Sequence, residues 1–233
     1  MKSTPFFIAS LLVSSLSAIA NPSSITHAVQ NPNRMAQDIA RDAGRKPADI
    51  LAIVDVKENM KVVDYIAGGG YYTELFARLL NNSGTVFSVK GKLETRNLSE
   101  FNNIKTLTSL ELDDLEGPVD RIFTALNYHD LINKANFDRQ ALLKSMHQKL
   151  SDDGYLIIID HNAGAGVGIS QTKKLHRVEN RFVLNEVLKA GFELDMSSSV
   201  LANANDDYSL DVWQPTTKGN TDRFVYRFKK RAL

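Results

Sequence analysis

Residues 61–80 read KVVDYIAGGGYYTELFARLL, and the fold turns on how this stretch is read. Val62 and Val63 form an apolar run that leads to an acid, Asp64, and then to Gly68, Gly69 and Gly70. Directly after the glycines, Tyr72, Leu75, Phe76 and Leu79 recur at helical spacing. That order predicts a buried strand, a tight turn and an amphipathic helix. Glycine permits the turn and lets a ligand approach backbone that a larger side chain would shield. The free N–H groups opening the helix add a weakly positive platform beside it. A nucleotide-like cofactor suits such a corner, but a turn that only joins a strand to a helix has the same local composition, and a lone G-x-G is a weak signal. A dinucleotide-binding unit asks for a further glycine or alanine three residues after Gly70, where Thr73 stands.

Moving toward the carboxyl end, Gly84 interrupts the chain and Thr85–Val89 reads as a second strand. A nucleotide cofactor favours an acid at the end of that strand, because a carboxylate accepts from ribose hydroxyls. Here the residue is Lys90, followed by Lys92 and then Glu94. A third strand at 105–110 precedes Asp113, Asp114 and Glu116, acids that suit either an adenine amino group or an ordinary turn. The fourth, at 119–126, runs into Asn127-Tyr128-His129-Asp130. Polar groups at the carboxyl ends of parallel strands are where open α/β sheets bind ligands. His129 can exchange protons near neutral pH, and Tyr128 or Asn127 can orient a nucleophile. Capping of the next helix is the plainer role for His129 and Asp130.

Tyr155–Ile159 is an apolar run without alternation, the mark of a strand covered on both faces, and it ends in Asp160-His161. The glycine-rich AGAGVGIS at 163–170 suits a mobile lid or a flexible connector. His176 follows in TKKLHR, residues 172–177. His129, His161 and His176, with Asp130 and Asp160, have no recognised metal spacing, so no metal ligand is assigned. Val183, Val187 and Ala190 mark a further helix, and strand-like segments at 192–201 and 223–229 close the sheet.

Upstream, residues 34–43 predict a helix with Arg34, Asp38, Arg41 and Asp42 at ion-pair spacing, and Pro47 opens another over 48–54. Arg41 or Arg45 suits a cofactor carboxylate, although a solvated, salt-bridged face is the plainer account of them. Residues 21–33 are polar and carry two prolines, which predicts a flexible leader before a domain spanning 34–233. Residues 1–20 have the form of a signal peptide: Lys2, an apolar core from Phe6 to Leu16, and Ala18-Ile19-Ala20 as a cleavage pattern. The expected location is periplasmic or secreted, with no membrane contact after cleavage. The chain has no cysteine, which excludes disulfides and thiolate chemistry. With 28 Lys and Arg against 27 Asp and Glu, no global field draws it to nucleic acid.

Alternating strands and helices, then helix, strand, loop, strand, predict a Rossmann-like α/β fold: a seven-stranded, mostly parallel sheet with helices on both faces and an antiparallel C-terminal strand. With VVDYIAGGGYYT at 62–73, the chain resembles the class I S-adenosylmethionine-dependent methyltransferases. More narrowly it is similar to a group of predicted exported bacterial methyltransferases, on AGGGYYT at 67–73, NYHD at 127–130, DH at 160–161, T-x-x-x-H-R at 172–177, DDY at 206–208 and TDRFV at 221–225. The resemblance implies S-adenosylmethionine as cofactor, held by Asp64, Ala67, Gly68, Gly69, Gly70, Tyr71 and Asn127. Ile66 stands where glycine is usual, and Lys90 replaces the usual ribose-binding acid. His129, Tyr128 and His176 are then the candidate catalytic residues, acting on a small-molecule acceptor. Two alternatives remain: a non-catalytic ligand-binding protein on the same fold, and an NADP-linked oxidoreductase using Lys90 and Lys92.

Overall fold

The structure, a computed structural model, describes residues 22–231. The expected signal peptide lies outside the described residues. In chain order the elements are α1 (Pro22–Val29), α2 (Ala36–Ile39), α3 (Asp42–Arg45), α4 (Pro47–Val54), β1 (Lys61–Tyr65), α5 (Tyr71–Leu80), β2 (Thr85–Val89), β3 (Ile104–Leu107) and β4 (Val119–Ala125). There follow α6 (Tyr128–Asn133), α7 (Arg139–Lys149), β5 (Leu150–His161), α8 (Thr172–Leu175), α9 (Asn180–Lys189), β6 (Phe192–Ser198) and β7 (Arg223–Lys230).

The strands form one seven-stranded sheet in the order β3-β2-β1-β4-β5-β7-β6. β1 to β5 pair in parallel, and β7 runs antiparallel between β5 and β6. Adjacent residues supply opposite faces. Val63, Ile122 and Ile158 join one core, with α7 and α9; Val62, Phe123 and Ile157 join the other, with α4 and α5. Both faces are therefore dry, which explains the unbroken apolar runs in the sequence. Leu75, Phe76 and Leu80 of α5 are fully buried, each contributing roughly 1.5–3 kcal/mol through burial.

Local chemistry sets the boundaries. Gly70 caps α5 in the left-handed conformation and Asn81 ends it likewise. Pro47 opens α4 where a missing N–H costs nothing, and the Asp138 carboxylate caps α7 by accepting from the Ala141 N–H at 2.9 Å.

Two expectations are corrected. The segment expected as a flexible leader contains α1, which packs on α4 and α5 and buries Ile25 and Ala28. Its apolar stripe is short and its proline sits at the helix start, so composition concealed it. The single helix expected over 34–43 is two short pieces, because Arg34 turns back to clasp Asp42 with two hydrogen bonds of 2.7 and 2.8 Å.

Candidate functional site

The strand order reverses between β1 and β4, and the crevice between their carboxyl ends is where such sheets bind ligands. Here it opens into a cavity of about 760 Å³, within the range of small-molecule sites. One wall is the turn after β1. Ile66 adopts φ 58°, Gly68 φ 53° and Gly70 φ 74°. The Ala67 N–H donates to the Val89 carbonyl and the Gly70 N–H to the Ala67 carbonyl, both at 2.9 Å. Asn127 braces the turn from β4, its Nδ2 donating to the Ile66 carbonyl at 3.0 Å while its Oδ1 accepts from the Thr124 hydroxyl.

Of the sequence-predicted cofactor residues, Asp64, Ala67, Gly68, Gly69, Tyr71 and Asn127 line the cavity. Gly70 does not. A Cβ there would lie 2.4 Å from Leu93 and 3.0 Å from Arg96, so its role is packing. Arg96 is buried and saturated: its guanidinium donates to Asp38, Glu74 and the Gly69 carbonyl. This network holds the turn in shape from behind, and nothing in the local sequence around Arg96 marks it.

Asp64 is 3% exposed and accepts from the Thr73 hydroxyl at 2.6 Å. Burial pushes its carboxyl up to about 6, against the pull of Thr73, Arg45 and Arg96. Across the cavity stand two guanidinium groups with no carboxylate partner among the described residues. Arg45 lies over the Tyr71 ring at 4.5 Å. Arg223, 7% exposed, donates only to the Thr221 and Gly219 carbonyls, and desolvation lowers its pKa. Arg41 differs, being paired with Asp38. Tyr71 is fixed by donating to Asp42 at 2.5 Å, and burial beside that carboxylate raises its pKa.

The polar end of the cavity is built from α6, the end of β5 and the C-cap of α8. Asp160, fully buried, accepts from the His129 N–H at 2.8 Å, the His161 N–H at 2.7 Å and His129 Nδ1 at 2.8 Å. Burial opposes protonation of His129, but Asp160 and Asp130 outweigh it and the pKa rises. His129 Nε2 lies 3.4 Å from Asp130, whose side chain is 58% exposed and reaches the cavity wall. His176 Nδ1 is 3.8 Å from the same Asp130 oxygen. His129 and His176 thus stand behind Asp130 rather than on the wall. His161 lines the cavity, its Nδ1 2.7 Å from the Thr221 hydroxyl, and burial drives its pKa down to about 3.

Tyr128 is corrected as a catalytic candidate. Its hydroxyl is buried and donates to Glu186 at 2.6 Å, within a cluster completed by Arg139 and away from the cavity. The first turn of α6 points it into the core while Asn127 and Asp130, on either side, face the crevice. The glycine-rich segment at 163–170 is also absent from the wall. Its Gly168 N–H donates to the Glu179 carboxylate at 2.8 Å, which ties it to the start of α9. Lys90 and Lys92 are exposed and outside the cavity, as are Asp113, Asp114 and Glu116.

Sequence reasoning missed the cover of the cavity, the loop bearing Val212, Trp213, Lys218, Gly219 and Asn220. The motifs at 172–177, 206–208 and 221–225 anchor it. Arg177, fully buried, holds Asp206 through two hydrogen bonds of 2.8 and 3.0 Å. Asp206 also accepts from the Asp222 N–H at 2.6 Å, and Tyr208 donates to Asp222 at 3.0 Å. Among the described residues, no helix is long and apolar enough to cross a membrane.

Neither a protein-family model nor a curated protein matches the chain. Solved structures do. A SAM-dependent methyltransferase from Aquifex aeolicus superposes with a TM-score of 0.60 at 19% identity, over 91% of this chain and 99% of that one. A protein described as a methyltransferase, in complex with the Trm112 methyltransferase activator of Haloferax volcanii, gives 0.56 at 16%, over 90% and 98%. A protein described as a type 11 methyltransferase from Sulfolobus solfataricus gives 0.51 at 19%, over 79% and 90%. The Rossmann-like methyltransferase fold expected from the sequence is thus the fold observed.

Proposed function

We propose that the protein binds S-adenosylmethionine and transfers its methyl group to a small-molecule acceptor. The observation that carries the reading is the cavity at the β1/β4 crevice, walled by an acid, a glycine turn and an asparagine from the neighbouring strand. S-adenosylmethionine has a carboxylate, an amino group, a sulfonium and a sugar, and much of the wall suits these groups. Arg45, which has no carboxylate partner among the described residues, offers its guanidinium to a carboxylate. Asp64 is a buried acceptor with room for further donors. Gly68 and Gly69 leave open space where a Cβ would project, so a ligand can lie against the backbone. No acid stands at the end of β2, so a sugar's hydroxyls meet Asn127, Asn220 and backbone groups instead.

When bound, the cofactor supplies a methyl group on a positively charged sulfur, and that leaving group asks little of the protein beyond alignment. Well-oriented partners gain effective molarities of about 10⁵ M or more. Trp213 and Lys218 on the covering loop, with Asp130 and His161 below, leave the acceptor a pocket that is apolar on one side and polar on the other. The test is calorimetric titration with S-adenosylmethionine, S-adenosylhomocysteine and NADPH. Micromolar binding of the first two is expected, and its loss in folded Asp64→Ala and Gly68→Trp variants. No heat with either would overturn the reading in favour of a ligand-binding protein on a repurposed fold, which Ile66 and the exposed Lys90 support.

We also infer export, on the pattern of residues 1–20. Cell fractionation should find the protein outside the cytoplasm and shortened by about twenty residues; a full-length cytoplasmic protein would overturn this.

A further inference from the structure

At the rim of the cavity, two imidazoles and a carboxylate converge on one another. His129 Nδ1 lies 2.8 Å from the buried Asp160 carboxylate, which engages that nitrogen and leaves Nε2 turned outward. It points at Asp130, 3.4 Å away, and His176 Nδ1 approaches the same oxygen at 3.8 Å. One ligand atom from each of the three residues lies within 4.8 Å of the other two. Asp130 has no lysine or arginine partner among the described residues, and Asp211 adds a further negative charge toward His129. A positive charge between these atoms, whether a proton or a metal ion, completes such a set, and a metal ion engages all three residues at once.

We propose that His129, Asp130 and His176 form a site for one borderline divalent cation of the Zn²⁺ type. The donor set, two imidazoles and one carboxylate, is the chemistry of open zinc or iron sites rather than of magnesium or calcium. Ligands at about 2.1 Å in a tetrahedron are about 3.4 Å apart, the separation already present between His129 and Asp130. His176, at 30% exposure, has the freedom to close the longer edges. Its backbone is held in the left-handed conformation, φ 55°, which turns the ring back toward α6. Asp160 supplies the outer contact that fixes a ligating histidine's tautomer and raises its basicity. Asp130 belongs to both the triad and the cavity wall, so the open coordination position borders the cavity. Histidines serving as ligands are not free to accept protons, so this assignment replaces the general-base role that the sequence suggests for His129 and His176.

The test is metal binding, independent of methyl transfer. Chelator-treated protein is titrated with Zn²⁺ and with Mg²⁺, and with Co²⁺ followed by visible absorption. One equivalent of Zn²⁺ is expected, with no Mg²⁺ binding and with cobalt ligand-field bands. His176→Ala, at a half-buried position, and Asp130→Asn, at an exposed one, should lose the equivalent while keeping their circular dichroism; Asp160→Asn should weaken it 10–100-fold. His27→Ala, on the outside of α1, should leave it intact. Failure of the wild type to bind Zn²⁺, or equal binding by His176→Ala, would overturn the proposal and leave a proton shared between His129 and Asp130.

Discussion

Two buried aspartates, each at the carboxyl end of a central parallel strand, behave in opposite ways. Asp160, at the end of β5, accepts two backbone N–H groups and an imidazole, and its oxygens are occupied. Asp64, near the end of β1, has the Thr73 hydroxyl as its side-chain partner, borders the cavity, and is pushed up to about 6. A saturated carboxylate is part of the framework: it positions what surrounds it. An under-partnered one at a cavity wall costs stability in the empty protein and awaits a ligand that donates to it.

The contrast breaks most visibly at Asp160. Asp160→Ala leaves two backbone donors and His129 Nδ1 without an acceptor in a site that water does not reach. The expected loss is about 3 kcal/mol or more, a fall in melting temperature of roughly 10 °C for a chain of this size. Thermal melts check it, and a variant as stable as the wild type would show that Asp160 does not hold this corner.

Asp64→Asn should act in the other direction. The folded carboxyl titrates at about 6 and the unfolded one at 3.8. Between those values the folded state binds more protons than the unfolded state, so this group's contribution falls as pH rises from 4 to 6 and stays low above 7. Asparagine keeps an acceptor for Thr73 and removes the buried charge. The variant should gain up to about 3 kcal/mol at pH 8 and nothing at pH 4, while losing affinity for S-adenosylmethionine. Melting curves of both proteins at the two pH values isolate the effect, since all other groups cancel in the difference.

A third, smaller effect separates framework from site within the segment at 127–130. Tyr128→Phe deletes a hydroxyl that donates to Glu186, although Glu186 keeps Arg139. A loss of about 1.5 kcal/mol is expected, with ligand titrations unchanged. Weakened binding at full stability would return Tyr128 to the site.

Much of this architecture is legible in the sequence, and the reasons are physical. Apolar runs on strands buried on both faces, glycine turns and periodic helices are local signals, and they yield the sheet, its parallel core and the crevice. Asp64, Ala67, Gly68, Gly69, Tyr71 and Asn127 reach the cavity while Gly70 packs behind it, because one turn and one strand end control them. What is not legible depends on contacts distant in sequence. Arg96 reaches back 58 residues to Asp38, and Arg177 clasps Asp206 to hold the covering loop. Tyr128 and His129 are neighbours in the chain, yet helix geometry sends one to Glu186 and the other to Asp160. Composition was equally silent about α1, whose two buried residues are enough to dock it.

The smallest effect sharpens the comparison at the turn itself. Gly68 and Gly70 both hold positive φ, at 53° and 74°, so any L-residue is strained at either. They differ in surroundings: a Cβ at Gly70 runs into Leu93, whereas one at Gly68 meets nothing within 4 Å. Gly68→Ala therefore carries only the left-handed backbone cost, about 1 kcal/mol, or a few degrees in melting temperature. The new methyl group occupies ligand space rather than protein space. Affinity for S-adenosylmethionine should drop far more than stability does, and a variant that keeps full affinity would move the cofactor away from this turn.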